Sequence, residues 1–358
     1  MTSAQPRRAR TRPAKPHGWR RALIIAVVSL LALGGLAVAG IYAMGVWADR
    51  QIERFGDPFE ALDPAKRPEP APAPEDEEGT TAVNILILGS DSRISAGDPG
   101  SWEQGAQRTD AIMIAHLNAN RQNAYVMSIP RDSWVEIPGH GEAKINAAYS
   151  LGGPTLMIET VEDLTGIRID HFAVADFESF TSLTNALGGV EIEVPEDTYQ
   201  KGELLFTAGT HLMDGEEALA YTRQRYGLEG GDFDRIKRQQ NWLRAVVKKA
   251  SKMGAFTNPI RRAEMMDALG ESIAVDDALD RDKMTLLARG TSHLTSPDME
   301  FVTIPTLGTG WSPDGKQSIV VVDHERLEPL AKAFATDRVT KYLKKNLTKL
   351  DFLQDEVR

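Results

Sequence analysis

The sequence contains no cysteine. That absence rules out a thiolate nucleophile, cysteine-ligated zinc, iron–sulfur clusters and disulfides, and it suits an oxidising, extracytoplasmic location. Also missing are a GxSxG nucleophile elbow, an HExxH zinc motif and a GxxxxGK[ST] phosphate loop. His116, His140, His171 and His211 are scattered without ligand spacing and read as satisfied core or surface groups. Positive charge is outnumbered by acid in most of the chain. Arg7, Arg8, Arg10, Arg12, Lys15, Arg20 and Arg21 place seven positive charges and no acid in residues 1–21, so the formal total of −10 leaves −17 for the rest. Phosphate backbones are bound through net positive surface, so nucleic acid is not expected as a partner.

What is present begins with an uncharged run, Ala22 to Trp47. About 20 apolar residues cross a bilayer, and a signal peptide's apolar region is shorter. Tyr42 and Trp47 stand where an interfacial aromatic belt falls. The basic tail before the run and the balanced Asp49, Arg50, Glu53 and Arg54 after it predict a cytoplasmic N-terminus and an extracytoplasmic body. The organisation expected is therefore a basic cytoplasmic tail (1–21), a transmembrane helix (22–47) in the lipid bilayer, a Pro/Ala/acidic linker (48–80), a large folded domain (81–345) and a short C-terminal tail (346–358). The stretch DPAKRPEPAPAPEDEEGT has almost no large apolar residue and reads as a semi-extended spacer.

Beyond the linker, strands and helices alternate. AVNILILGSDSR (82–93) reads as a buried strand, and RTDAIMIAHLNANRQNAYVMSIPRD (108–132) as two strands joined by a polar turn. INAAYSLGGPTLMIETVEDLTGI (145–167) fits a helix broken near Gly152 and Gly153. HFAVADF is a strand, ESFTSLTNALGG a helix, VEIEV a strand and HLMDGEEALAYTRQR a helix. Asp232 or Asp234 is expected to cap the next helix, with further helices near 258–274 and 281–294 and strands at 299–304 and 318–322. This pattern predicts an α/β fold, an α-β-α sandwich around a mixed sheet.

Arg–Asp pairs recur at the ends of the apolar strands: Asp91 with Arg93, Arg108 with Asp110, and Arg131 with Asp132. Ligands of open α/β sheets are met at strand ends. Arg223 and Arg225 share a face only if their segment is extended, whereas Arg235 and Gln239 share a helix face. Several guanidinium forks within an acidic body suit a multiply charged anion, above all a pyrophosphate. Mg²⁺ (or Mn²⁺) takes few protein oxygens and completes its shell with phosphate oxygens and water, which makes Asp91 and Asp110 its candidates. A further carboxylate, Asp232, is placed to act as general base on a hydroxyl.

NILILGSDSR, RTDAIMI, SIPRD, KINAAYSLGG, LGGVEIEVP, GTHLMDGEEALAYTRQR and DFDRIKRQQ occur in this order. The ordered set resembles the LytR-CpsA-Psr family of envelope glycopolymer transferases, densely over about residues 82–250 and more thinly to roughly 325. The resemblance implies transfer of a glycopolymer from a polyprenyl-pyrophosphate carrier to a peptidoglycan sugar hydroxyl, forming a phosphodiester. The polymer would be teichoic acid, capsule or arabinogalactan, and the carrier's tail would lie in an apolar tunnel. Carried over by motif, Arg131, Lys144, Arg223, Arg225 and Arg235 would grip the pyrophosphate, supported by Arg93, Arg108 and Gln239. Asp91 and Asp110 would hold the metal, and an Asp-x-x-Arg element favours Asp232 as base, with Asp234 the alternative within the same turn and Asp110 and Arg131 also catalytic. Two other readings use the same residues: a hydrolase with water as nucleophile, and a non-catalytic envelope regulator that only binds the lipid carrier.

Overall fold

The computed structural model describes residues 53–54, 56–72, 80–90, 109–200, 202–224, 228, 230–254, 258, 261, 273–346, 348, 350–354 and 357. The 22–47 run lies outside them, and among the described residues no helix is long and apolar enough to cross a membrane.

The centre of the molecule follows from period-two patterning. In β2 (Val83–Ser90) every second residue is buried. Leu86 and Leu88 enter the main core while Ile87 faces the opposite side, and in β3 (Thr109–Leu117) Ile112 and Ile114 divide in the same way from Ala111 and Met113. β3 and β4 (Ala124–Ser128) form the expected antiparallel hairpin. Its turn is closed by Asn118, whose side chain accepts from the Asn123 N–H at 3.0 Å.

Helix α1 (Asn146–Thr165) departs from helical geometry at Gly152 and Gly153, as expected. Gly153 sits at φ +64°, a conformation open to glycine, ahead of Pro154. The chain then adds β7 (His171–Ala175) parallel to β2, α2 (Phe177–Ala186) and β8 (Val190–Val194). Helix α3 (Gly215–Arg223) and helix α4 (Asp232–Lys252) follow. After β12 (Ile273–Val275) come α5 (Arg281–Gly290), β13 (Met299–Thr303), β14 (Thr306–Trp311), β15 (Ser318–Val322), α6 (His324–Ala335) and α7 (Val339–Asn346).

With β1 (Glu53–Arg54) and β16 (Asp351–Phe352), the main sheet has eight strands in the order β1-β12-β7-β2-β3-β4-β13-β16. It is mixed: β2/β7 and β4/β13 are parallel, β2/β3 and β3/β4 antiparallel. Helices cover both faces. α1, α6 and α7 pack on one, and Leu243 of α4 meets Met113, Val126 and Phe301 on the other. A second core joins α2, α3, α4 and β8.

Several expectations are corrected. The linker expected over 48–80 is not a pure spacer. Glu53–Arg54 pairs with β12, Leu62 is buried in the main core, and Arg67 binds Glu162. A proline-rich, acidic composition conceals the few side chains that dock. The C-terminal tail expected from 346 contributes β16 and a buried Val357. HLM of the expected 211–225 helix belongs to strand β11 (Gly209–Met213) on β8, and α3 starts only after Asp214, which closes a capping box with Glu217. Neither Asp232 nor Asp234 caps α4: the cap is Gly231, and both acids are already helical. Of the helix expected near 258–274, Ile273–Val275 is strand, and most of the remainder lies outside the described residues. Three hairpins went unforeseen, β5/β6 (Trp134–Ile137, Gly141–Lys144), β9/β10 (Thr198–Gln200, Glu203–Phe206) and β14/β15.

Candidate functional site

Topology brings chemistry to one edge of the sheet. β2, β7, β4 and β13 run in the same direction and end there, and β3, running the opposite way, begins there. Asp110 is therefore the second residue of β3, and Arg131 and Asp132 follow the end of β4. The backbone at Arg131 is pinned from two sides. Its carbonyl accepts from Asn146 N–H at 3.2 Å at the start of α1, and the Asp132 carbonyl accepts from Val320 N–H of β15 at 2.8 Å. Helix α4 closes the site. Its Gln240 is fully buried and donates to Ser128 Oγ at 2.8 Å, and its Nε2 lies 3.4 Å from Thr303 Oγ1, tying the helix to the ends of β4 and β13.

This scaffold gathers six charged side chains. Arg131 Nη1 donates to Asp110 Oδ1. Its Nε lies 3.9 Å from Asp132 Oδ2 and 4.0 Å from Asp232 Oδ1. Lys144 Nζ reaches Asp132 Oδ1 at 3.1 Å from the end of β6. Arg235 joins the two halves, with Nη2 2.6 Å from Asp232 Oδ1 and Nη1 3.9 Å from Asp110 Oδ1. Asp232 and Arg235 are one helical turn apart, so α4 presents both from one face.

The cluster balances three carboxylates against three cations, yet its hydrogen bonding is incomplete. Arg131 Nε is buried and has no hydrogen-bond partner among the described residues. A buried donor left unmet costs about 1–3 kcal/mol, and a guanidinium with an unmet donor between carboxylates is ready to accept a further oxygen anion.

The candidates read from sequence divide three ways. Asp110, Arg131, Lys144, Asp232 and Arg235 come together. Gln239 is half-buried on α4, on the helix face shared by Asp232 and Arg235. Arg223 stands apart: it is exposed in the last turn of α3, with its guanidinium 4.2 Å from the Phe177 ring centroid, and no ion pair among the described residues joins it to the cluster. Asp91, Arg93, Arg108 and Arg225 lie outside the described residues.

Other residues escaped sequence reasoning. Asp132, recognised only as a strand-end acid, bridges Arg131 and Lys144. Arg238 is 1% exposed, donates to Gln224 Oε1 at 2.6 Å and lies 4.6 Å from the Tyr221 ring centroid, which fastens α3 to α4. Burial lowers its pKa, while the neighbouring Tyr221, Asp234 and Glu196 pull it back up. Its spacing from Arg235 was the only signal available. Among the described residues no group of three or more His, Cys, Asp or Glu side chains is placed to hold a metal. His116 and His171 are buried and paired with Asp337 and Asp276.

The LytR_cpsA_psr family model matches residues 56–335. The chain is 34% identical over 274 residues to a Corynebacterium glutamicum protein named "Probable cell wall biosynthesis protein LcpB", covering 71% of this chain and 62% of that protein. It is 34% identical to the polyisoprenyl-teichoic acid–peptidoglycan teichoic acid transferase TagU of Halalkalibacterium halodurans, covering 70% of this chain and 79% of the relative. The structure of TagT bound to LI-WTA superposes with a TM-score of 0.55 at 26% identity, covering 77% of this chain and 92% of that one.

Proposed function

Because the chain belongs to the LytR-CpsA-Psr family, we propose that it transfers a glycopolymer from a polyprenyl-pyrophosphate carrier to a peptidoglycan sugar hydroxyl. The observation that carries this reading is the unmet Nε of Arg131 within the Asp110–Arg131–Asp232–Arg235 cluster. The similarity to a teichoic acid–peptidoglycan transferase supports it.

In this mechanism Arg131, Lys144 and Arg235 hold the pyrophosphate oxygens, with Arg93, Arg108, Arg223, Arg225 and Gln239 assigned to the same anion. Asp232, oriented by Arg235, takes the proton of the acceptor hydroxyl. The hydroxyl oxygen bonds to the phosphorus that carries the glycopolymer, the bond from that phosphorus to the bridging oxygen breaks, and polyprenyl phosphate leaves. Fixed charge aimed at the reacting phosphates supplies most of the acceleration.

Asp110, partly exposed within the cluster, and Asp91, assigned by motif, are the carboxylates that would hold Mg²⁺ (or Mn²⁺), an ion that takes few protein oxygens beside phosphate oxygens and water. Such an ion would neutralise pyrophosphate charge. The 22–47 run anchors the chain in the bilayer with the domain outside the cell, where the carrier's lipid and the peptidoglycan meet.

The test uses the full chain in detergent, a short lipid-linked saccharide and Mg²⁺, with and without peptidoglycan fragments. Saccharide joined to the glycan, and lost by about 10²–10⁴-fold in Asp232→Asn as expected for a general base, is the predicted result. Polyprenyl phosphate released at the same rate without acceptor would identify a hydrolase. Tight carrier binding with no turnover would identify a regulator.

A further inference from the structure

Two of the three acids in the cluster have work in the transfer: Asp232 is assigned as base and Asp110 to the metal. Asp132 has neither role, although its carboxylate faces two cations. Oδ1 lies 3.1 Å from Lys144 Nζ, and Oδ2 lies 3.9 Å from Arg131 Nε. Among the described residues no other acid pairs with Lys144.

The backbone sets this arrangement. In the β5/β6 hairpin Trp134 stands opposite Lys144, and period two puts Asp132 on the face of Trp134, diagonal to the lysine. Beyond the ladder, Ile145 N–H donates to the Ser133 carbonyl at 2.8 Å and Asn146 N–H to the Arg131 carbonyl at 3.2 Å. From the other side, Val320 N–H donates to the Asp132 carbonyl at 2.8 Å. Asp132 and Lys144 are therefore neighbours before any ligand arrives. Both side chains remain 24% exposed, open to an incoming anion.

An anion drawn to Arg131 Nε and Lys144 Nζ arrives beside the Asp132 carboxylate, which both donors already face. Two effects then oppose each other. Asp132 holds Lys144 in place, which spares the ordering of one long side chain. Its negative charge also repels a multiply charged anion, and at contact distances in a partly desolvated site that repulsion is the larger effect. We propose that Asp132 is a positioning residue acting as the counter-ion of the pyrophosphate site. It keeps Lys144 beside Arg131 in the empty site, and it weakens the hold on the phosphate that remains after transfer, so that the product leaves. This rests on the transfer reading above and adds a residue that governs release rather than the chemical step.

The experiment titrates inorganic pyrophosphate into the full chain by calorimetry, with Mg²⁺ and with EDTA, for wild type, Asp132→Asn and Asp132→Ser. Thermal unfolding and a steady-state transfer assay accompany it. The counter-ion predicts binding tighter by tenfold or more in both variants, with or without Mg²⁺, and a donor KM and kcat that fall together as polyprenyl phosphate stays bound. An acid that merely supported the fold would loosen the site when lost, so tightening is the discriminating result. Affinity unchanged or weaker in the variants would overturn the proposal, as would failure of both to fold. Weakening seen only with Mg²⁺ would make Asp132 a metal ligand instead. Tighter pyrophosphate binding in the variants, with no transfer by wild type, would retire the transfer reading and leave the counter-ion standing.

Discussion

The Arg67–Glu162 pair and the Arg131 cluster are two arginine–carboxylate sites built to opposite rules. Arg67 and Glu162 form a closed pair. Nε and Nη2 of the arginine reach both carboxylate oxygens at 2.7–3.3 Å, Nη2 also donates to the Ile169 carbonyl at 2.6 Å, and Glu162 accepts the Ile169 N–H. The Arg131 cluster is open. One donor meets Asp110, while Nε is held 3.9–4.0 Å from two further carboxylates without a hydrogen bond. A guanidinium whose fork is filled by the protein fastens the chain to itself. One with a buried donor unmet has been placed for something else. Counting ion pairs would not separate these two sites, whereas accounting for donors does.

The contrast breaks if the two sites respond alike to truncation. The largest effect is expected at the closed pair: Arg67→Ala strands a buried Glu162 and unlatches residues 56–72, costing about 3–5 kcal/mol in urea unfolding. Arg131→Ala should do the reverse. Its transfer rate falls by about 10²–10³, or 2–4 kcal/mol of transition-state stabilisation, while unfolding free energy stays within about 1 kcal/mol or rises. A large stability loss in that variant would make the cluster structural. Removing Asp110 should weaken the response to Mg²⁺ titration.

A smaller effect sharpens the comparison by showing what burial without a charge partner does. Tyr149, in the first turn of α1, is 1% exposed, and burial pushes its hydroxyl up to about 12. An unfolded tyrosine loses its proton near pH 10. Stability attributable to this group is therefore complete below about pH 10 and is lost as pH rises toward 12, by on the order of 2 kcal/mol. Tyr149→Phe should flatten that alkaline limb of the unfolding curve.

Much of this was legible in the sequence where local pattern dictates structure. Alternation in NILILGS and AIMIAHL sets β2 and β3, a polar turn joins β3 to β4, and paired glycines break α1. Charges flanking apolar strands announced the cluster because strand ends are where a sheet exposes its neighbours' termini together. What stayed hidden depends on distance along the chain. Arg67 and Glu162 are 95 residues apart, so nothing local marks a proline-rich segment as docked. Arg238 carries the same charge as the half-buried Lys237 beside it, and only the packing of α3 on α4 buries it fully. Arg223 was assigned to the anion by motif, yet it ends a helix and rests on Phe177. Short strands such as β9 and β14 have glycine or polar neighbours that mask period two.

The central claim is that Arg131 holds a donor ready for a pyrophosphate. Calorimetric titration of inorganic pyrophosphate into the full chain with Mg²⁺ tests it directly, comparing wild type with Arg131→Ala. The account predicts saturable binding that weakens by at least tenfold in the variant at unchanged thermal stability. Equal affinity in the two proteins would contradict it.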